Sequence, residues 1–232
     1  FWNPEPFDWQ GDRLQIGNNG PLLIYEAHVG MAQEKEGVGT YPEFIEHVLP
    51  RIKELGYNTV QLMAVAEHPY YGSFGYHVSN FFAASSRFGT PEELKLLVRT
   101  AHAMGLAVVM DVVHSHYVKN IHEGLNRLDG TDSLYSPPGD AGNHPHWDSK
   151  LFDYTRGQVQ HFLLSNLKFW MEEFHFDGFR FDGVTSMIYP HHGYVDFGPR
   201  EIFFDKGVNE DAIAYLMLAN ELVHTLRPEA VT

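Results

Sequence analysis

The sequence of 232 residues contains no cysteine, which excludes disulfides, thiolate metal sites and a thiol nucleophile together. No apolar run approaches the ~20 residues that a membrane span needs, and the first residues lack the basic-then-apolar pattern of a signal peptide. Basic residues are scarce: Lys and Arg number 16 against 30 Asp and Glu, a net charge of −14. A surface of that sign repels phosphate backbones and anionic lipids, so neither nucleic acid nor a membrane is expected as a partner. No Gly-x-Gly-x-x-Gly or Gly-Lys-Ser/Thr loop follows an apolar strand, which removes the main support for a dinucleotide or P-loop protein. A reducing compartment fits these absences, and the expected location is cytoplasmic, or plastidial in a plant.

What is present is core-forming mass, 44% hydrophobic and 14% aromatic, which excludes intrinsic disorder. Phe1 to Gly20, rich in Asn, Pro, Gly and aromatics, reads as a linker from a preceding domain. From Pro21 onward short apolar runs alternate with stretches of helical period. Leu22 to Tyr25, Thr59 to Met63, Leu106 to Val112 and Phe176 to Gly183 are the expected strands. Thr40 with Glu43, and Thr90 with Glu93, have the spacing of capping boxes that open helices. Apolar Phe44, Val48, Ile52 and Leu55 follow the first box at helical spacing, Pro50 should divide that helix, and Gly56 should end it. Further helices are expected over Gln158 to Phe174 and, capped by Asn209, over Asn209 to Leu226. The stretch from Val113 to about Arg156 reads as irregular. Four strand-helix units with strands apolar on both faces predict a parallel sheet. The fold class is therefore α/β, the first half of a (β/α)8 barrel with enlarged loops, with an open doubly wound sheet as the alternative. Residues 21–232 form the partial barrel and end at the start of a fifth strand.

In a barrel the site lies in the loops after the strand C-terminal ends. Alternation in Phe176 to Gly183 puts Arg180 and Asp182 on one face and Phe179 and Phe181 on the other. A guanidinium beside a carboxylate favours the ionised form that a nucleophile requires; a structural ion pair is the plainer reading. Asp111 ends the third strand, and His116 reaches over the same rim. His114-x-His116 could be paired metal ligands with Asp111 or Asp182, or Asp111 and His116 could hold sugar hydroxyls. The loop Glu67 to His77 spaces aromatic rings with glycine, which suits stacking on sugar faces, with Tyr76 best placed; Phe74, Phe81 and Phe82 read as core. Asn143 to Asp148 fits no standard zinc spacing and reads as a solvated or substrate-facing lobe.

These residues carry a resemblance. Asp111-Val-Val-His-Ser-His116 and Gly178-Phe-Arg-Phe-Asp-Gly-Val-Thr185 resemble two signature regions of the α-amylase superfamily of retaining glycoside hydrolases and transglycosidases. More narrowly, Glu67 to Tyr76, Asn80 to Glu93, Asp129 to Asp132, Trp147 to Phe152, Asp182 to Met187 and His191 to Gly193 resemble the 1,4-α-glucan branching enzymes. The resemblance covers nearly the whole chain, from about Tyr25 to Leu226. It implies that Asp182 is the nucleophile, aligned by Arg180, that Asp111 and His116 bind hydroxyls of the sugar at the cleavage point, and that Tyr76 stacks beneath it. It implies an α-glucan partner such as glycogen, amylose or starch, and no cofactor. Ser115 stands where many calcium-binding relatives have Asn, which argues against calcium. The acid/base Glu and third carboxylate would lie outside this chain, neither Glu26 nor Glu67 being in their place, so the chain alone is expected to be inactive. A starch-hydrolysing or debranching relative, a metal-dependent barrel hydrolase and a non-catalytic glucan-binding module are the alternatives.

Overall fold

The computed structural model describes residues 5–12, 16, 21–195, 198 and 207–232. Both Thr-Glu spacings form capping boxes: Thr40 accepts from the Glu43 amide, Thr90 from the Glu93 amide, and each Glu reaches back to its threonine. The first helix opens as α1 (Tyr41–Glu43), widens into a π-helical turn over Phe44–Val48 and continues as α2 (Leu49–Glu54). The wide turn stands immediately before Pro50, whose missing N–H breaks the regular ladder. Gly56 then ends the helix at φ +87°. Leu55, expected on the apolar face, is instead 66% exposed beside this stop.

Four strands, β1 (Ile24–Ala27), β2 (Thr59–Leu62), β5 (Ala107–Val112) and β8 (Gly178–Phe181), form one parallel sheet in chain order. β5 is buried at every position, as a strand covered on both faces must be. Helices α3 (Pro91–Ala103), α4 (Gly157–Glu173) and α6 (Glu210–Leu226) alternate with these strands, and α6 is capped by Asn209 as its sequence suggests. Leu94, Leu97 and Val98 of α3, Leu163, Leu167 and Trp170 of α4, and Tyr215 and Val223 of α6 belong to a single buried core with the strands. Burial of such side chains, each contributing ~1.5–3 kcal/mol, is the main force holding the layers together. Beyond α6, Val231 forms a parallel bridge to Gly178.

The enlarged loops contain structure that was expected to be irregular. β3 (Ala66–Glu67) pairs antiparallel with β4 (Asn80–Ala84), and β6 (His116–Val118) with β7 (Ser149–Leu151). A one-turn helix α5 (Val184–Ile188) follows β8. These pieces stand on the strand C-terminal ends and fix the site. Among the described residues no helix is long and apolar enough to cross a membrane.

Candidate active site

In register, Asp111 on β5 lies beside Arg180 on β8, so the two side chains share a face. Arg180 Nη1 donates to Asp111 Oδ1 at 3.0 Å and Oδ2 at 2.8 Å, and to Asp182 Oδ1 at 2.7 Å. The Tyr76 hydroxyl donates to Asp111 Oδ2 at 2.9 Å. Burial raises the Asp111 carboxyl to about 6, against the pull of Arg180 and Tyr76. Burial and the Asp111 charge raise the Tyr76 phenol, so it stays protonated and donating. Burial works against the Arg180 charge, but the bonds and charges of Asp111 and Asp182 outweigh it and push its pKa up.

Tyr76 reaches Asp111 because of Gly75. At φ +92°, a Cβ on Gly75 would stand 2.0 Å from the Ala64 carbonyl oxygen, so only glycine lets the loop close this tightly over the strand end. Gly183, just after Asp182, is a second such position: at φ +68° its Cβ would stand 2.5 Å from Ser115 Oγ. The turn therefore presses onto the His114 to His116 segment.

His116 is 3% exposed, and burial, with the neighbouring His77 and His144, lowers its pKa to about 3. It is a neutral imidazole on the wall of a cavity of about 340 Å³, shared with Tyr70, Tyr76, His77, Trp147 and Asp182. Asp182 Oδ2 accepts no hydrogen bond among the described residues, so one carboxylate oxygen is held by Arg180 while the other is open to the cavity.

His114 does not join this wall, and the paired-imidazole metal reading fails. Its Nδ1 accepts from the Tyr215 hydroxyl at 2.6 Å, and its Nε2 donates to Asn166 Oδ1 at 2.9 Å. It thereby ties β5 to α4 and α6, and complete burial lowers its pKa to about 4. Strand alternation alone would put residues two apart on one face, but β5 ends at Val112 and β6 starts at His116, so the chain turns between the two histidines and their rings enter different environments. Among the described residues no three His, Asp or Glu converge in a way that could hold a metal ion.

Residues 30–131 match the family described as "Alpha amylase, catalytic domain". Across 98–100% of its length the chain is 54–56% identical to proteins named 1,4-alpha-glucan-branching enzyme from Yarrowia lipolytica, Dictyostelium discoideum and Felis catus. Residues 30–131 thus carry the pattern of the α-amylase family's catalytic domain. The chain spans about a third of the length of these curated relatives, 33–34%. Among solved structures, a maltogenic α-amylase of Thermotoga neapolitana superposes with a TM-score of 0.64 at 22% identity, over 89% of this chain and 43% of that one. A putative α-amylase of Salmonella typhimurium gives 0.59 at 26% identity, over 78% of this chain and 28% of that one.

Within this site, Tyr76, Asp111, His116, Arg180 and Asp182, all singled out in the sequence, come together. Trp147 and Tyr70 were not singled out; a Trp in a His-rich loop and a Tyr beside Gly72 are the signals that could have found them. Two expected core residues are not core: Phe74 is 42% and Phe82 39% exposed, whereas Phe81 is buried at 4%. Phe74 sits at φ +54°, at the tip of the Tyr71–Ser73 turn, which aims its ring outward.

Proposed function

We propose that the chain is the nucleophile-bearing half of the catalytic barrel of a 1,4-α-glucan branching enzyme. Such an enzyme cleaves an α-1,4 bond and transfers the freed chain to a glucose 6-hydroxyl with retention. The observation that carries this reading is the Asp182 carboxylate, fixed through one oxygen by Arg180 and open through the other to a cavity walled by Tyr76, His116 and Trp147. The names of the relatives supply the choice of reaction.

Asp182 Oδ2 attacks the anomeric carbon, the C1–O bond to the leaving sugar breaks, and a glucosyl ester forms on Asp182. The 6-hydroxyl of an acceptor then displaces Asp182, giving its proton to the carboxylate that acted as acid in the first step, and the second inversion restores the α configuration. Neutral His116 on the cavity wall binds and orients a hydroxyl and Tyr76 lies under the ring, while the buried Asp111 holds Arg180 and Tyr76 in place. The leaving oxygen needs a proton from a carboxyl ~5–5.5 Å from the nucleophile. Asp111 shares the guanidinium nitrogen of Arg180 with Asp182, so distance alone would admit it. It is fully buried, however, and both its oxygens are occupied by Arg180 and Tyr76, so it cannot reach a leaving group. We therefore assign the acid/base role to a residue outside these 232, and expect the isolated chain to lack turnover.

The test is the action of a full-length enzyme containing this chain on amylose, followed by the fall in iodine-complex absorbance and by counting new 1,6 linkages. Activity should vanish with Asp182→Ala. Persistence of activity refutes the nucleophile, and reducing sugar released without 1,6 linkages favours a hydrolase.

A further inference from the structure

The cavity around Asp182 continues into a relay of rings, of which the reaction above uses only His116. His77 lies 5.8 Å from His116, and His116 lies 5.1 Å from Trp147, centroid to centroid. Trp147 stacks on His144 at 4.0 Å and 6°. His144 lies 6.4 Å from Tyr194, and Tyr194 covers His146 at 3.9 Å. The relay thus runs from the nucleophile's cavity to Tyr194, which is 52% exposed.

Its central pair is locked. His144 Nδ1 accepts from the backbone N–H groups of His146 at 3.2 Å and Trp147 at 3.0 Å, so it carries no proton. The Nε2–H donates to Ser186 Oγ at 3.2 Å. Both ring nitrogens are therefore committed, which takes His144 out of any metal site and fixes the plane against which Trp147 lies. Asp148, at φ +51° and paired with Lys119, turns the chain immediately after Trp147. A rigid aromatic presented this way loses little freedom on binding.

Burial first, with neighbouring imidazoles second, lowers the pKa of His116 to about 3 and of His144 to about 4. These rings are uncharged near neutral pH, and the chain carries −14. Uncharged rings on a net-negative chain disfavour an anionic ligand. They suit a neutral polymer whose units have apolar faces to stack and hydroxyls to hydrogen-bond.

We propose that the Trp147–His144 pair and the Tyr194–His146 pair form an extended glucan track. Trp147 carries a glucose ring next to the cleavage cavity, and Tyr194 carries one farther along the same α-1,4-linked chain. This rests on the α-glucan reading above. The track makes binding depend on chain length, because only a chain long enough to span from Asp182 to Tyr194 engages both platforms.

The test is isothermal titration of the 232-residue chain with maltotriose, maltoheptaose and cellohexaose, alongside W147A, W147F, Y194A and circular dichroism of each. Maltoheptaose should bind the unaltered chain, about tenfold more weakly to W147A, with W147F restoring most of the loss. Y194A should weaken maltoheptaose by about threefold and leave maltotriose unchanged. Maltoheptaose bound equally by the unaltered chain, W147A and Y194A overturns the track while leaving the glucan reading intact. A Y194A loss equal for both maltooligosaccharides, or cellohexaose bound as well as maltoheptaose, also overturns it. No binding of maltoheptaose to the unaltered chain overturns the track and the glucan reading together.

Discussion

Removing the Asp12 carboxylate should cost this fold a large part of its stability, and the cost should depend on pH. The Asp12 side chain is 4% exposed and holds two imidazoles: His102 Nδ1 at 2.8 Å and His175 Nδ1 at 2.9 Å. His102, 1% exposed, is held on its other side by Asp177, whose Oδ2 lies 2.8 Å from Nε2 and also accepts the Val108 amide at 2.7 Å. Trp9 stacks on His175 at 3.7 Å. Asp12→Ala strips one of the two carboxylates that hold the buried His102 ring, and removing one partner of a buried pair typically costs ~3–5 kcal/mol. For a chain of this size that corresponds to a melting point lower by on the order of 10 °C. Burial disfavours charge on His102, but Asp177 and then Asp12 outweigh it and raise its pKa above the ordinary 6.5. With a raised folded value, the contribution is complete below the unfolded value near 6.5 and is lost as pH climbs through the folded one. Thermal melts followed by circular dichroism at stepped pH read both parts. Asp12→Ala melting within 1–2 °C of the unaltered chain at low pH, by the rough scale above, or a gap that widens as pH rises, refutes the reasoning.

Two further outcomes follow from geometry. Gly75→Ala should cost ~1–3 kcal/mol or more in a urea titration, because the new Cβ meets the Ala64 carbonyl at 2.0 Å in a left-handed conformation; an unshifted midpoint refutes that close approach. His114 has a lowered folded pKa of about 4, so its contribution is present above the unfolded value near 6.5 and is lost as pH falls toward 4. Acid melts of His114→Gln should therefore decline less steeply over that window than those of the unaltered chain, and parallel declines refute the assignment.

Local chemistry was legible where a few neighbouring residues decide the outcome. Thr40 with Glu43, Thr90 with Glu93, and Asn209 with its acidic first turn cap helices because the partners sit within one turn of each other. The all-apolar texture of β5 reports a strand covered on both faces, and alternation around Asp182 puts Arg180 on the face it shares with Asp111. Asp111, His116, Arg180 and Asp182 could be named because each lies at or within a few residues of the end of β5 or β8, and Tyr76 because its aromatic loop is spaced by glycine.

What was not legible depends on contacts between distant segments. The antiparallel pairs β3 with β4 and β6 with β7 involve strands of two to five residues, too short for periodicity to declare them. His114 and His116 look equivalent in sequence. Asn166 and Tyr215, on helices 52 and 101 residues away, decide that only His116 faces the cavity. The burial of Asp12 against His102, 90 residues on, has no local signature either.

The central claim is that Asp182 is the nucleophile of a retaining α-glucan enzyme. The most direct measurement exposes the 232-residue chain to α-maltosyl fluoride and weighs it. Fluoride departs without needing a proton from an acid, so the C–F bond breaks as the Asp182 C1–O bond forms, even where no acid/base carboxyl is present. Without a general base to activate water the ester should persist. The account predicts a gain of one maltosyl group, mapped to the peptide containing Asp182 and absent from Asp182→Asn. No gain in mass, or the same gain in Asp182→Asn, would contradict it.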